Sequence, residues 1–211
     1  LLELALNRNL AESFKKLIRI SPEELGFLIK EYIKRKDIED MKTILRGKFT
    51  NAEKKLVLNS ITAAGTLSYD FFVSLLEKEP IEEVLKDNNI VGFSLLKNGL
   101  KDLKEKNSLV SIENAFDKYY YTNLIEFSNI LPKEGALFRN FLLKEVEVLN
   151  ILTLFRLKKA RLGRDVINNF VILSGNKAKD AKMLKLADLD SVEELSNAFE
   201  KTEYKDIISN G

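Results

Sequence analysis

LPKEGALFRNFLLKEVEVLNILTLFRLKK, residues 131–159, decides how this chain is read, because residues 21–49 repeat it at an offset of 110. In that register Pro22 falls on Pro132, Glu24 on Glu134, Lys34 on Lys144, Thr43 on Thr153, Arg46 on Arg156 and Lys48 on Lys158. The register holds outward without a gap: Glu3 meets Glu113, Ala5 meets Ala115, Ile20 meets Ile130, Asn59 meets Asn169 and Gly65 meets Gly175. Shared Leu, Lys and Glu would say little, since any two helices share them. Coincidences at Pro, Gly and Asn say more, because those residues answer to backbone geometry. The expected organisation is two copies of one helical unit, 1–110 and 111–211, the first truncated at its start and the second incomplete at its end.

Composition bounds the function. The 211 residues are 45% apolar and 31% charged with a net charge of +2, a globular balance with no global pull towards nucleic acid or membrane. No apolar run approaches the roughly 18 residues of a transmembrane helix. Leu1 stands where an initiating Met would, which points to a fragment or a processed form. Cysteine and histidine are both absent, so disulfides, thiolate metal sites and the commonest general base are excluded. No cofactor or metal is expected, and no catalytic set. Many Lys, Glu and Ile with no Gln lean weakly towards a thermophile.

Three prolines and nine glycines in 211 residues favour long helices, and no strand pattern is visible, so the expected class is all-α. Leu2, Leu6, Leu10, Phe14, Leu17 and Ile18 have helical spacing. Ser21 is expected to cap a second helix, with Pro22 in its first turn and Glu24 completing a capping box. Leu25, Leu28, Ile29, Tyr32, Ile33, Met41, Ile44 and Leu45 supply its apolar face. Further helices are expected at 52–64 (closed by Gly65), 68–77, 80–86 and 91–106, with a hinge at 106–108. The second copy reads as helices at 112–127, 132–159, 165–173 (stopped by Gly175), 178–187 and 191–199.

Certain polar residues fall on apolar helix faces. Asp37 and Asp40 lie on or beside the buried stripe, and the offset of 110 carries them to Glu147 and Asn150. Three residues apart, each pair shares a face, and buried polar groups must find partners. A network pinning a neighbouring helix end or loop is the reading favoured over a binding or proton site. Arg46 and Arg156 either cap helix C-termini, complementing the dipole, or meet a partner. Residues 149–164 hold Arg156, Lys158, Lys159, Arg161 and Arg164 with no acidic residue, a solvated face or a contact for an acidic partner or lipid headgroups rather than a nucleic-acid site. Tyr119, Tyr120 and Tyr121 are expected to place one ring inward and two along a helix edge.

Residues 37–48, DIEDMKTILRGK, resemble the D-x-x-N-[apolar]-x-x-x-[apolar]-R-x-K signature of a rotary ATPase family. This is the family of the C subunit of the archaeal/vacuolar-type (A/V-type) ATP synthase, whose eukaryotic counterpart is the d subunit of the V-ATPase. Glu147 to Lys158 resembles the second copy, and 65–67 and 173–175 are similar to the glycine turns that follow each copy. Asp40 stands where the family usually has Asn, and Glu147 where it usually has Asp. The resemblance implies three similar helical units in a funnel-like arrangement, of which this chain lacks the N-terminal helices and the third. It also implies a non-catalytic rotor part on the cytoplasmic face of the membrane, held there peripherally. Such a part receives the central stalk and sits on the proteolipid ring, without cofactor or nucleic acid. Lys48, Lys158, Lys159 and Arg161 are the candidates for partner contact. The competing readings are an unrelated helical-repeat adaptor, an enzyme using carboxylates or lysine, and RNA binding through 156–164.

Overall fold

A computed structural model of the chain describes residues 2–131 and 135–209. Among the described residues there are twelve α-helices and no strand, an all-α fold. They are α1 (Leu2–Ile20), α2 (Glu23–Phe49), α3 (Lys54–Ser60), α4 (Tyr69–Leu76), α5 (Ile81–Lys86), α6 (Phe93–Lys106), α7 (Val110–Ile130), α8 (Gly135–Lys159), α9 (Arg164–Phe170), α10 (Lys177–Ala187), α11 (Val192–Ala198) and α12 (Lys205–Ser209). Pro132 and Glu134, expected in the first turn of the long second-copy helix, lie outside the described residues, as do the side chain of Glu3 and Gly211. The chain divides into two compact units, Leu1–Tyr120 and Tyr121–Gly211. That boundary falls inside α7, beyond 106–108, where Asn107 closes α6 in the left-handed region (φ 49°, ψ 51°).

The first unit is built on α2, which packs against α1, α3, α4 and α5. Its buried side is Ile33, Ile38, Met41, Ile44 and Leu45. Phe72, Leu75, Leu85, Leu96, Ile112 and Phe116 complete the core, each fully buried side chain contributing about 1.5–3 kcal/mol. The expected stripe reaches too far forward: Leu25 is exposed and Leu28 and Ile29 only half-buried, so the core face begins at Ile33. The second unit gathers Ile151, Leu154 and Leu157 of α8 with Ile167, Val171, Ala187, Leu195 and Phe199.

Helix ends correct several expectations. Ser21 does not open α2. Its amide and hydroxyl both donate to the Leu17 carbonyl, at 3.0 and 2.7 Å, so it finishes α1, and Pro22, with no N–H to satisfy, stands at the N-cap. The helix expected at 52–64 ends at Ser60, and that expected at 165–173 ends at Phe170, because the following amides are drawn away by side chains of α2 and α8. Gly65 is therefore no helix cap. Ser68 and Ser191 do cap, accepting from the Phe71 and Glu194 amides. Tyr120 and Tyr121 are both buried and Tyr119 is exposed, so two rings of the three turn inward.

Gly47 marks the closest packing of α3 on α2. A Cβ there would lie 2.4 Å from Cγ2 of Val57. Gly47→Ala is expected to cost about 1–3 kcal/mol by overpacking, and combining it with Val57→Ala should cost less than the sum of the two single changes. Urea unfolding of the three variants measures this, and strict additivity would show that the two positions do not touch.

Candidate functional site: carboxylates of the motif helix and the loop they hold

Asp37 and Asp40 stand three residues apart on α2 and are 2% and 1% exposed. The loop after α3 wraps onto them. Oδ1 of Asp40 accepts from the Thr62 amide at 2.9 Å and Oδ2 from the Ala63 amide at 2.8 Å, with the Thr62 hydroxyl at 3.1 Å. Oδ2 of Asp37 accepts from the Thr66 amide at 2.9 Å and hydroxyl at 2.7 Å, and Oδ1 from the Leu67 amide at 2.9 Å. Two pairs of consecutive amides thus end on two carboxylates, which is why 61–67 leaves the helix. Ala63 takes a left-handed backbone (φ 46°) to present its N–H. Gly65 is needed for space rather than for its torsions, since a Cβ would lie 2.1 Å from Oδ1 of Asp37.

No lysine or arginine pairs with either carboxylate among the described residues. Burial pushes the Asp40 carboxyl above its ordinary value, and the charge of Asp37 adds to this. The bonds from Thr62 and Ala63 work in the opposite direction. An acid–base role would need a lone pair or a cation facing a cavity. Here each oxygen of the two carboxylates accepts from a backbone amide of the loop.

The second unit solves the same problem differently. Asn150, in the register of Asp40, forms a closed pair with the backbone of Ile172, in the register of Thr62. Its Nδ2 donates to the Ile172 carbonyl at 2.8 Å and its Oδ1 accepts from the Ile172 amide at 2.9 Å. Glu147, in the register of Asp37, does not join. It is half-exposed, and its longer side chain reaches Lys144 at 3.5 Å. The loop is held instead by Asp180, whose Oδ1 accepts from the Ser174 amide and hydroxyl, both at 2.7 Å. A cavity of 640 Å³ opens beside Glu147, Asn150, Asp180 and Tyr204, and a Cβ at Gly175 (φ 75°) would meet no neighbour within 4 Å.

The cationic candidates separate. Arg46 makes a bidentate pair with Glu113, both bonds 2.7 Å. One turn earlier, Lys42 meets Asp117 at 2.5 Å. Arg156 is exposed and has no ion pair among the described residues. Lys48 is turned inward, its side chain 4% exposed, donating to the Leu76 carbonyl at 2.9 Å and to Glu79 at 2.7 Å. Lys158 likewise donates to the Leu189 carbonyl. Lys159 and Arg161 are exposed. Arg161 also has a left-handed backbone (φ 55°), as Asn51 has (φ 52°) at the same register. In both, the last turn closes through the same pair of bonds, Asn51 and Ala52 to Lys48 and Gly47, and Arg161 and Leu162 to Lys158 and Leu157.

Sequence reasoning did not find Asp180, Glu113, Asp117 or Asn88. Asn88, 1% exposed, binds the Leu85 and Val91 carbonyls and the Ile90 and Val91 amides. The run Asp87-Asn88-Asn89 reads as a turn in the sequence, without showing that Asn88 is its buried anchor. Glu113 and Asp117 needed the packing of distant helices, and Asp180 the path of the loop before α10.

These features define an all-α protein in which Asp37, Asp40 and Asn150 are hydrogen-bonded to the backbone of the loops that follow α3 and α9. The family model described as ATP synthase (C/AC39) subunit matches residues 1–211, and the chain belongs to that family. It is 40% identical over 212 residues to the C subunit of the A-type ATP synthase of Methanococcoides burtonii, covering 99% of this chain and 57% of that protein. It is 38% identical to the protein of the same name from Methanosarcina acetivorans (99% and 56%) and 26% identical to that of Methanocaldococcus jannaschii (98% and 52%). The chain therefore spans a little over half the length of the curated relatives it matches. No solved structure matches it. No helix among the described residues is long and apolar enough to cross a membrane.

Asp40→Ala orphans two amides and is expected to cost about 2–4 kcal/mol, and Asp40→Asn, which keeps one acceptor, about 1–2 kcal/mol. The folded-state carboxyl titrates above its ordinary 3.8, so the folded state holds the proton more tightly. The stability of the native chain relative to Asp40→Asn therefore falls as pH rises from 3.8 through the folded value and is flat above it. Urea unfolding across that range checks the sign. Gly65→Ala should lose most of its penalty in an Asp37→Ala background, whereas Gly175→Ala, strained by about 1–2 kcal/mol through its backbone, should be indifferent to Glu147→Ala. A thermal-unfolding double-mutant cycle for each pair decides it.

Proposed function

We propose that this chain is part of a non-catalytic central-stalk component of a rotary A/V-type ATPase, a socket that couples the stalk to the membrane proteolipid ring. Such a component works in ATP synthesis or in ATP-driven ion transport. Membership of the ATP synthase (C/AC39) subunit family is the observation that carries the reading. The site geometry supports it. Asp37, Asp40 and Asn150 hold loops and Lys48 and Lys158 hold helix ends, so the polar groups of the motif stiffen the fold instead of addressing a substrate. A part that transmits torque needs such stiffness, and it needs faces for its neighbours.

The association with the membrane is peripheral, on its cytoplasmic face and through the ring. Partner contact falls to the exposed cations Lys159 and Arg161 rather than to the inward-turned Lys48 and Lys158. The test is capture of the full-length protein from gently solubilised membranes, with identification of what accompanies it. Central-stalk proteins and proteolipid recovered together support the socket, and their joint absence from intact membranes sinks it. Reversing charge at Lys159 and Arg161 should reduce that recovery while leaving the helical circular dichroism of the purified protein unchanged. Undiminished recovery removes those two residues from the interface.

A further inference from the structure

The 640 Å³ cavity of the second unit is lined by α8, α10 and the turn that follows α11. Its volume falls in the range of small-molecule sites, and it lies where the two units diverge. In the first unit a Cβ at residue 65 would lie 2.1 Å from Oδ1 of Asp37. In the second, Glu147 turns to Lys144 and a Cβ at residue 175 would meet nothing within 4 Å. The wall of the cavity has an apolar part and a charged part. Met183 and Leu186 of α10 and the buried ring of Phe199 supply the first, and Tyr204 meets that ring edge-on, their centroids 6.0 Å apart. Lys144, Lys179, Lys182 and Lys201 supply the second, together with Glu147, Asp180 and Glu203. The acids are already engaged. Glu147 and Glu203 both pair with Lys144, and Oδ1 of Asp180 holds Ser174. Lys179, Lys182 and Lys201 are exposed and have no ion pair among the described residues.

We propose that this cavity binds a small organic phosphate, with its apolar or aromatic body against Met183, Leu186 and Phe199 and its charge towards Lys179, Lys182 and Lys201. Lys179 and Lys182 share a face of α10, three residues apart, and Lys201 joins them from a separate segment. Unpaired cations gathered at a concave wall concentrate anions, and a phosphate ester, close to a dianion near neutral pH, answers several of them at once. Two shielded polar groups offer further donors. Asn150, 4% exposed, gives one hydrogen of its Nδ2 to the Ile172 carbonyl, and the other has no acceptor among the described residues. The Tyr204 hydroxyl is screened from solvent and has no hydrogen-bond partner among the described residues, whereas buried polar groups ordinarily find one. Every group involved lies within residues 140–204, so the proposal is independent of the socket role.

The experiment titrates the full-length polypeptide by calorimetry with 1-naphthyl phosphate, inorganic phosphate and 1-naphthol, near neutral pH and at low ionic strength. The ester should bind about tenfold more tightly than either fragment of it. Lys179→Glu combined with Lys182→Glu should weaken the ester several-fold while the helical circular dichroism stays unchanged. Lys185→Glu, on the same helix but outside the cavity wall, should leave its affinity as it was. Absence of binding by the ester, an ester no tighter than inorganic phosphate or 1-naphthol, or an equal loss on changing Lys185 would each overturn the proposal.

Discussion

Two carboxylates buried side by side, with no cation paired to either among the described residues, are the constraint around which the first unit is arranged. Removing such groups from water is expensive unless hydrogen bonds replace the lost hydration. Here the replacement comes from backbone amides, two for each carboxylate. Those amides are lost to a helix, so α3 stops at Ser60 and an extended loop crosses α2. The loop lies so close that residue 65 has no room for a side chain. Position, loop conformation and glycine are consequences of one electrostatic requirement.

The second unit shows what changes when that requirement is relaxed. An amide at 150 carries its own donor and acceptor, so it binds both the N–H and the C=O of one residue, Ile172, and buries no charge. A glutamate at 147 is one methylene too long to repeat the contact of Asp37 and settles on Lys144 at the surface. The loop then needs another anchor and finds it in Asp180, six residues ahead of it. Apolar packing is alike in kind in the two units, whereas the polar fastening is rebuilt.

The helical class and the order of helices were legible because the periodicity of Leu, Ile and Phe needs no tertiary knowledge. The inward position of Asp37, Asp40 and Asn150 was legible for the same reason, since they interrupt an apolar stripe at helical spacing. Their partners were not. Whether 61–64 continues a helix depends on which acceptor reaches the amides first, and Asp40 is more than twenty residues away. Ser21 illustrates the local version of this limit: Ser-Pro-x-Glu reads as a helix start, yet the hydroxyl found the Leu17 carbonyl behind it. The cations were hardest to place. Arg46, Lys48, Lys158 and Arg161 look alike in sequence, and only packing distinguishes an ion pair, two inward-turned caps and a strained, exposed turn.

The different fastening of the two loops also decides which parts of the chain open together. In the first unit, the loop is tied to the middle of α2, so releasing the amides of Thr62, Ala63, Thr66 and Leu67 requires disturbing the helix at the centre of the core. In the second, the Ser174 amide is tied to α10, the short helix that follows it, and only the Ile172 amide answers to α8. Local opening of 173–180 there leaves α8 and its core contacts with Ala187 in place. The two units therefore differ in cooperativity: the first yields as a whole, and the second can yield by parts.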